Sequence, residues 1–451
     1  MPRRYFLETF GCQMNVHDAE RIAGLLEHDG YERTDQVAQA DVVVVNTCSV
    51  RERAEDKLYT RLGEIRDASA GRADPPIVAV TGCVAQQEGD ALLRRRLPVD
   101  VVAGTQRLRF LTTLIDDARR TGDAQVDVRP HDDVSFPLGV ARHADPVKAY
   151  VTIIEGCNEF CAFCVVPYTR GHERMRPHEA ILAEVRIAVE QGRREIHLLG
   201  QIVNHYQSPT DPGIDFAELL ARVSAVPGVL RVRFASPHPR HVSRRLIEAI
   251  RDLEPVCKHL HLPVQSGSDD VLRRMRRRYT RESYLDLVAT LRESVPGIAL
   301  STDMIVGFPG ETDADFEQTL DLVRAARYHS MFSFKYSPRP NTLALKRMAD
   351  DVSEAEKTRR ILELQALQRG IQAEWHEAAI GTVASVLVDA TSRRRDSELA
   401  GRTTGNTVVN FPGPAGWLGR LMPVRIVAAG PNSLRGEAVE ASMALEAGRA
   451  G

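Results

Sequence analysis

The stretch Tyr150-Val151-Thr152-Ile153-Ile154-Glu155-Gly156-Cys157-Asn158-Glu159-Phe160-Cys161-Ala162-Phe163-Cys164 sets three cysteines into eight residues, directly behind an apolar run. β-Branched residues dominate 150–154, so that run reads as a strand and the cysteines as the loop at its carboxyl end. Three residues and then two separate the cysteines. Three thiolates on one loop can hold three irons of a 4Fe–4S cube and leave the fourth iron open to a cofactor or substrate. Two plainer readings compete: a zinc site short of one ligand, and a chance cluster. Zinc usually draws Cys or His ligands from two separated halves, and the chain has no second Cys pair. The spacing favours iron and sulfide.

The chain has 451 residues, 43% of them hydrophobic and 27% charged, with a net charge of −2. That length suits several domains around large cores, and the balance is that of a globular protein. Near-neutral charge gives no global attraction to nucleic acid, so such a partner needs a local basic patch. No apolar run approaches the roughly 18 residues of a membrane span, and the strand-like segment behind Met1-Pro2-Arg3-Arg4 is too short for a signal sequence. A cytoplasmic protein without membrane contact is expected. Seven cysteines in such a chain point to metal or redox chemistry rather than disulfides.

Residues 1–120 alternate strand-like segments (4–8, 42–46, 77–80, 99–103) with helix-like ones (16–29, 51–67, 86–96, 108–119). Asn15 is placed to cap the first helix and Gly30 to stop it. Alternation of this kind predicts a doubly wound parallel sheet. Cys12, Cys48 and Cys83 each follow one of its strands. A parallel sheet brings its carboxyl ends to one edge, where such folds bind ligands. Three distant cysteines would therefore converge as a second cluster site; the alternative is three separately buried cysteines.

Residues 121–142 read as a linker. Across 143–374, strands at 150–154, 195–199, 230–235, 259–264, 299–306 and 331–336 alternate with helices at 177–191, 216–225, 244–253, 269–277, 281–293 and 314–326. Six strand–helix units predict an open (β/α)6 barrel with its chemistry at the strand carboxyl ends. Gln201, Ser236, Gln265 and Asp303 lie at or near those ends, as candidate contacts for a small polar cofactor. Cys257 reads as packing. The arginine-rich run 273–278 is either a solvated helix face or a phosphate-binding patch. His131, His143, His238, His259 and His261 lack metal-ligand spacing. A charged helix at 353–379 leads into 375–445, where five short strands suggest a small antiparallel barrel of the OB type. Such barrels often bind single-stranded nucleic acid, and Arg393-Arg394-Arg395 adds local positive charge. A purely structural or dimerisation barrel is the alternative.

The spacing of Cys157, Cys161 and Cys164 resembles the signature of radical S-adenosylmethionine enzymes. The whole chain resembles the MiaB-type tRNA methylthiotransferases through longer strings: Thr9-Phe10-Gly11-Cys12-Gln13-Met14-Asn15, His261-Leu262-Pro263-Val264-Gln265-Ser266-Gly267-Ser268, Ser333-Phe334-Lys335-Tyr336-Ser337-Pro338-Arg339-Pro340 and Gly401-Arg402-Thr403-Thr404-Gly405-Asn406. Ile202 stands where the pattern leads one to expect Asn, and Arg278 and Asn341 where it leads one to expect Gly.

The resemblance implies a fold with an N-terminal methylthiotransferase domain, a radical SAM core and a TRAM-like barrel. It implies methylthiolation of C2 of the isopentenylated adenosine beside the anticodon, and two 4Fe–4S clusters. One cluster, on Cys157, Cys161 and Cys164, binds and reduces S-adenosylmethionine, whose adenosyl radical takes the C2 hydrogen. The other, on Cys12, Cys48 and Cys83, presents sulfur, and a second S-adenosylmethionine gives the methyl group. Gln201, Ser236, Gln265 and Asp303 are then S-adenosylmethionine contacts. The implied partners are a tRNA anticodon loop and a reducing electron donor, with the protein a monomer. Rival readings are a methylthiotransferase acting on threonylcarbamoyl adenosine or on a ribosomal protein, and a non-catalytic RNA-binding protein with metal-stapled domains.

Overall fold

The structure, a computed structural model, describes residues 2–49, 52–95, 97–130, 142–391 and 398–439. The chain begins with a six-stranded parallel sheet of β1 (Arg4–Phe10), β2 (Glu32–Arg33), β3 (Val42–Thr47), β4 (Ile77–Gly82), β5 (Val101–Ala103) and β6 (Gln125–Asp127), ordered β2-β1-β3-β4-β5-β6. β3 reads Val-Val-Val-Val-Asn-Thr and is buried throughout, as a central parallel strand covered on both faces must be. One face packs Tyr5, Val42 and Val44 against Ile22 and Leu26 of α1 (Gln13–His28). The other packs Val43 and Val45 against Leu58 and Leu62 of α2 (Glu52–Ser69).

Three local expectations change. Helix α1 starts at Gln13 with Cys12 as its N-cap, so Asn15 lies inside the helix and its side chain bonds Cys12 instead of capping. The helix expected over 86–96 is α3 (Cys83–Glu88) followed by two 3-10 turns, the break falling at Gly89, where φ becomes +49°. Gln125–Asp127, expected to be linker, pairs with β5 and extends the sheet. Residues 131–141, with His131, and Arg393, Arg394 and Arg395 lie outside the described residues.

The barrel begins with β7 (Lys148–Thr152), and a two-stranded antiparallel ribbon, β8 (Ile154–Glu155) with β9 (Arg174–Met175), brackets the cysteine loop. β10 (Glu195–Leu199), β11 (Arg231–Phe234), β12 (His259–His261), β13 (Ala299–Val306) and β14 (Ser330–Lys335) follow. β7, β10 and β11 form one parallel sheet and β12, β13 and β14 another, joined by a bridge between Val232 and Val256. Among the described residues β7 and β14 do not pair, so the six strands make the expected open arc. Leu300, Met304 and Val306 of β13 pack outward against Tyr284, Phe316 and Leu320 of the helices, which puts Asp303 on the inner face. Arg278 and Asn341, the residues standing in for expected glycines, both hold left-handed backbone, with φ +57° and +68°.

The helix Glu354–Ala378, capped by Ser353, leads to a closed barrel of β15 (Val383–Thr391), β16 (Glu398–Thr403), β17 (Val408–Pro412), β18 (Leu421–Ala429) and β19 (Leu434–Ala438). All its pairings are antiparallel except that of β17 with β19. It docks against β11. Arg231 donates to the carbonyls of Ser385 (2.7 Å) and Arg402, and Arg233 to those of Thr403 (2.7 Å) and Thr404 (3.2 Å). Lys148 pairs with Asp389 at 2.5 Å. The string Gly401-Arg402-Thr403-Thr404-Gly405-Asn406 is thus an interface segment. Arg231→Ala leaves two carbonyls without their donor and is expected to cost about 1–3 kcal/mol, read as a lower thermal midpoint of the whole chain.

Candidate active site with two cysteine triplets

β1, β3 and β4 are neighbours in the sheet, with Phe10, Thr47 and Gly82 in register. Adjacent strands lie about 4.8 Å apart. Cys48 and Cys83, each one residue past that line, and Cys12, two past it, therefore meet at one edge. The thiol of Cys48 shares hydrogen bonds with Cys12 and Cys83, which pushes Cys48 up and pulls the other two down from the ordinary thiol range. Close approach is possible because residue 11 is glycine, at φ +152°: a Cβ there would come within 2.6 Å of the Cβ of Cys48. Two buried amides brace the trio. Asn46 Nδ2 donates to the carbonyl of Asn15 (2.7 Å), and Cys12 Sγ donates to Asn15 Oδ1 (3.3 Å). Ser49 Oγ and Thr81 Oγ1, close in sequence to Cys48 and Cys83, are buried with no hydrogen-bond partner among the described residues. Such orphans call for a bound group that accepts hydrogen bonds.

The second triplet sits past the end of β7. Gly156 N donates to Gln201 Oε1 at 2.6 Å and Cys157 N to the carbonyl of Gly171 at 3.1 Å, which fixes where the cysteine loop leaves the ribbon. At φ +82° a Cβ on Gly156 would overlap the carbonyl group of His172. Gly156→Ala is expected to destabilise the chain by at least about 1 kcal/mol and to lower its iron content after anaerobic reconstitution; unchanged unfolding and iron would contradict this account of the loop. Burial pushes the Cys157 thiol up to about 11 and the Cys164 thiol up to about 12, so metal binding must displace their protons. Arg277 turns inward to meet Cys161 Sγ at 3.5 Å, held by the carbonyl of Pro263 (2.8 Å) and the hydroxyl of Tyr279 (2.8 Å). The run 273–278 is therefore neither a uniform solvated face nor one patch: Arg273 and Arg274 pair with Asp270 and Asp315.

One short segment ties the triplets together. Thr105 and Gln106, just past β5, donate to the carbonyls of Thr169 (2.5 Å) and Arg170 (2.8 Å), and the next carbonyl, Gly171, receives Cys157 N. The Arg170 side chain points the other way, to Asp18 of α1 at 2.6 Å. Arg21 to Glu155 (3.2 Å) and Glu20 to His143 (2.9 Å) complete the seam.

The four expected cofactor contacts fall on the barrel's carboxyl-end side in different ways. Gln201 uses its carbonyl oxygen on Gly156 N. Ser236 and Gln265 hold left-handed backbone, at φ +62° and +74°, a conformation that costs a non-glycine residue about 1–2 kcal/mol and clusters at ligand sites. Asp303 lies 3.4 Å from His261 Nε2. Sequence reading set His238 aside as lacking metal-ligand spacing: its Nδ1 accepts from Arg240 N (3.2 Å), while its Nε2 is buried with no partner among the described residues. Burial, and after it the charge of Arg277, hold this imidazole well below its usual range, hence neutral. Arg170 and Asn46 were missed, and Asn15 and Arg277 were read only as a helix cap and as part of an arginine-rich run. Cys257 is buried behind the β11–β12 junction, as packing predicts.

Residues 151–323 match the radical SAM superfamily, residues 4–104 the uncharacterized protein family UPF0004 and residues 377–439 the TRAM domain. A tRNA-2-methylthio-N(6)-dimethylallyladenosine synthase of Syntrophotalea carbinolica is 44% identical over 97% of this chain and 100% of its own length. Those of Solibacter usitatus (45%, covering 96% and 98%) and Chromobacterium violaceum (46%, covering 98% and 100%) agree. The chain belongs to this family of synthases.

Solved structures agree on the fold. The radical S-adenosylmethionine methyltransferase TsrM from Kitasatospora setae, determined with cobalamin and a 4Fe–4S cluster bound, superposes with a TM-score of 0.56 at 16% identity, covering 85% of this chain and 81% of its own. The cobalamin-dependent radical enzyme OxsB gives 0.51 at 11%, covering 82% and 56%. Membership of the radical SAM superfamily implies S-adenosylmethionine and a 4Fe–4S cluster. The donor sets suit such a group: thiols alone, arriving in threes, with buried orphan donors beside one set and a guanidinium against the other. No group of three His, Cys, Asp or Glu side chains among the described residues suits a single metal ion. A cube is a different demand, since it spreads its thiolates over separate irons. No described helix is long and apolar enough to cross a membrane.

Proposed function

We propose that this chain is a tRNA methylthiotransferase acting on C2 of N6-isopentenyladenosine next to the anticodon. In this reading Cys157, Cys161 and Cys164 hold the 4Fe–4S cluster that engages S-adenosylmethionine, and Cys12, Cys48 and Cys83 hold a second cluster. The observation that carries it is the seam 169–171, where the carbonyls of Thr169 and Arg170 receive the sheet that bears one triplet and the carbonyl of Gly171 receives the first cysteine of the other. One sulfur-rich edge and one radical site then face a common substrate. The names of full-length relatives support the choice of base.

The chemistry fits the need. An adenine C2–H is not acidic, so no positioned base could activate it; bound iron–sulfur and S-adenosylmethionine supply the radical and the sulfur, while the protein binds and orients. Gln201, Ser236, Gln265 and Asp303 are proposed to contact S-adenosylmethionine, with Gln201 also setting the height of the cysteine loop through Gly156 N. Residues 1–120 present sulfur, 143–374 house the radical step and 375–445 grip the RNA. The anticodon loop is single-stranded, so its base turns out at modest cost. The enzyme is proposed to work as a monomer in the cytoplasm, fed by a separate reductant.

Purification under anaerobic conditions tests the catalytic reading against a zinc-stapled RNA-binding protein. Brown protein with iron and acid-labile sulfide supports the enzyme; colourless, zinc-loaded protein sinks it. Modification of tRNA carrying threonylcarbamoyl adenosine, with isopentenylated tRNA untouched, would move the assignment to the sister activity.

A further inference from the structure

Arg170 is a buried cation at the junction of the two triplets. Its side chain is 5% exposed and that of its partner Asp18 is 2% exposed, with 2.6 Å between them. Its backbone is clamped by Gln106, and the preceding carbonyl by Thr105, both at the edge where the N-terminal cysteines meet. Asp18 lies on α1, the helix that Cys12 caps. The other carboxylate near this cation, Glu155, has its own partner in Arg21 at 3.2 Å. Joining a sheet to a barrel needs no buried charge, since desolvating one costs several kcal/mol and an apolar contact of like size serves as well. What a buried guanidinium does that an apolar contact cannot is set the electrostatic potential of its neighbourhood.

That potential falls on the N-terminal sulfurs. β5, whose end holds the Arg170 backbone through Thr105 and Gln106, lies next to β4, the strand that Cys83 follows, and the guanidinium reaches Asp18 on the helix that Cys12 caps. Net charge, burial and hydrogen bonding are the levers by which a protein sets the reduction potential of an iron–sulfur cluster. A nearby fixed cation favours the more negative, reduced state, and a fixed anion disfavours it.

We propose that Arg170 is a positioning residue for the Cys12, Cys48 and Cys83 group, whose buried guanidinium, oriented by Asp18, raises the reduction potential of the iron–sulfur cluster held there. The inference rests on the reading of those three cysteines as cluster ligands. It makes Asp18 an opposing partner, not a second support.

The test uses the full chain with Cys157, Cys161 and Cys164 all replaced by Ala, reconstituted anaerobically, so that only the N-terminal cluster contributes to an electron paramagnetic resonance redox titration. Arg170→Gln shifts the midpoint to more negative potential, Asp18→Asn shifts it to more positive potential, and Arg170→Lys restores most of the Arg170→Gln loss. A merely structural staple would leave the midpoint in place or move both variants the same way, and either result overturns the proposal. Should Arg170→Gln take up no iron, Asp18→Asn decides alone: a positive shift supports the proposal, and no shift or a negative one ends it. If the parent with three alanines takes up neither iron nor sulfide, the cluster reading itself fails, and the inference with it.

Discussion

Cys157→Ala abolishes reductive cleavage of S-adenosylmethionine, and with it all product. The three thiols at 157, 161 and 164 come from one loop whose entry is fixed by two backbone donors, Gly156 N and Cys157 N. Cys157 is the buried member of the set, so no water or outside ligand can readily take its place. Even loss of an outer-shell partner lowers metal affinity or activity by roughly 10–100-fold; loss of one of three direct anchors is expected to exceed that. The measurement is 5′-deoxyadenosine release under anaerobic reduction. Release at the parent rate would show that Cys157 is not a ligand.

Cys12→Ala separates the two halves of the site. Cys12 stands at the start of α1 in the N-terminal sheet domain, whereas the barrel's cysteine loop is anchored by Gln201 and the Gly171 carbonyl, so the cleavage step should survive. Sulfur insertion should not: product is expected to fall by more than roughly 100-fold, while 5′-deoxyadenosine is still released. Ala at 12 also frees Asn15 Oδ1, which now accepts from the thiol, so the far-ultraviolet spectrum and thermal midpoint of the variant are needed beside the assay. Normal sulfur insertion by a folded Cys12→Ala protein would undo the two-cluster assignment.

Much of this was legible in the sequence because it rests on short-range signals. The valine run of β3, the alternation of strands with helices and the cysteine spacing each announce themselves within a few residues. The convergence of Cys12, Cys48 and Cys83 followed from topology alone, since adjacent parallel strands in register leave their next residues side by side. Other parts were hidden for physical reasons. Helix α1 buries Asn15, His17, Asp18, Glu20 and Arg21; by polarity these belong to a solvated face, and only the barrel's opposite charges, far along the chain, make that face an interface. Arg277 looked like its exposed neighbours because nothing local says which arginine of a run turns inward. Gln125–Asp127 is too short and polar to read as a strand until β5 stands beside it. Asn15 has the chemistry of a cap, but the helix begins before it.

The measurement that bears most directly on the account is nucleoside mass analysis of isopentenylated tRNA after anaerobic reaction with the reconstituted chain, reductant and S-adenosylmethionine. The account predicts that N6-isopentenyladenosine gains one methylthio group, and that tRNA lacking the isopentenyl group stays unchanged. Isopentenyladenosine recovered intact, from protein that carries its iron and sulfide and cleaves S-adenosylmethionine, would contradict it.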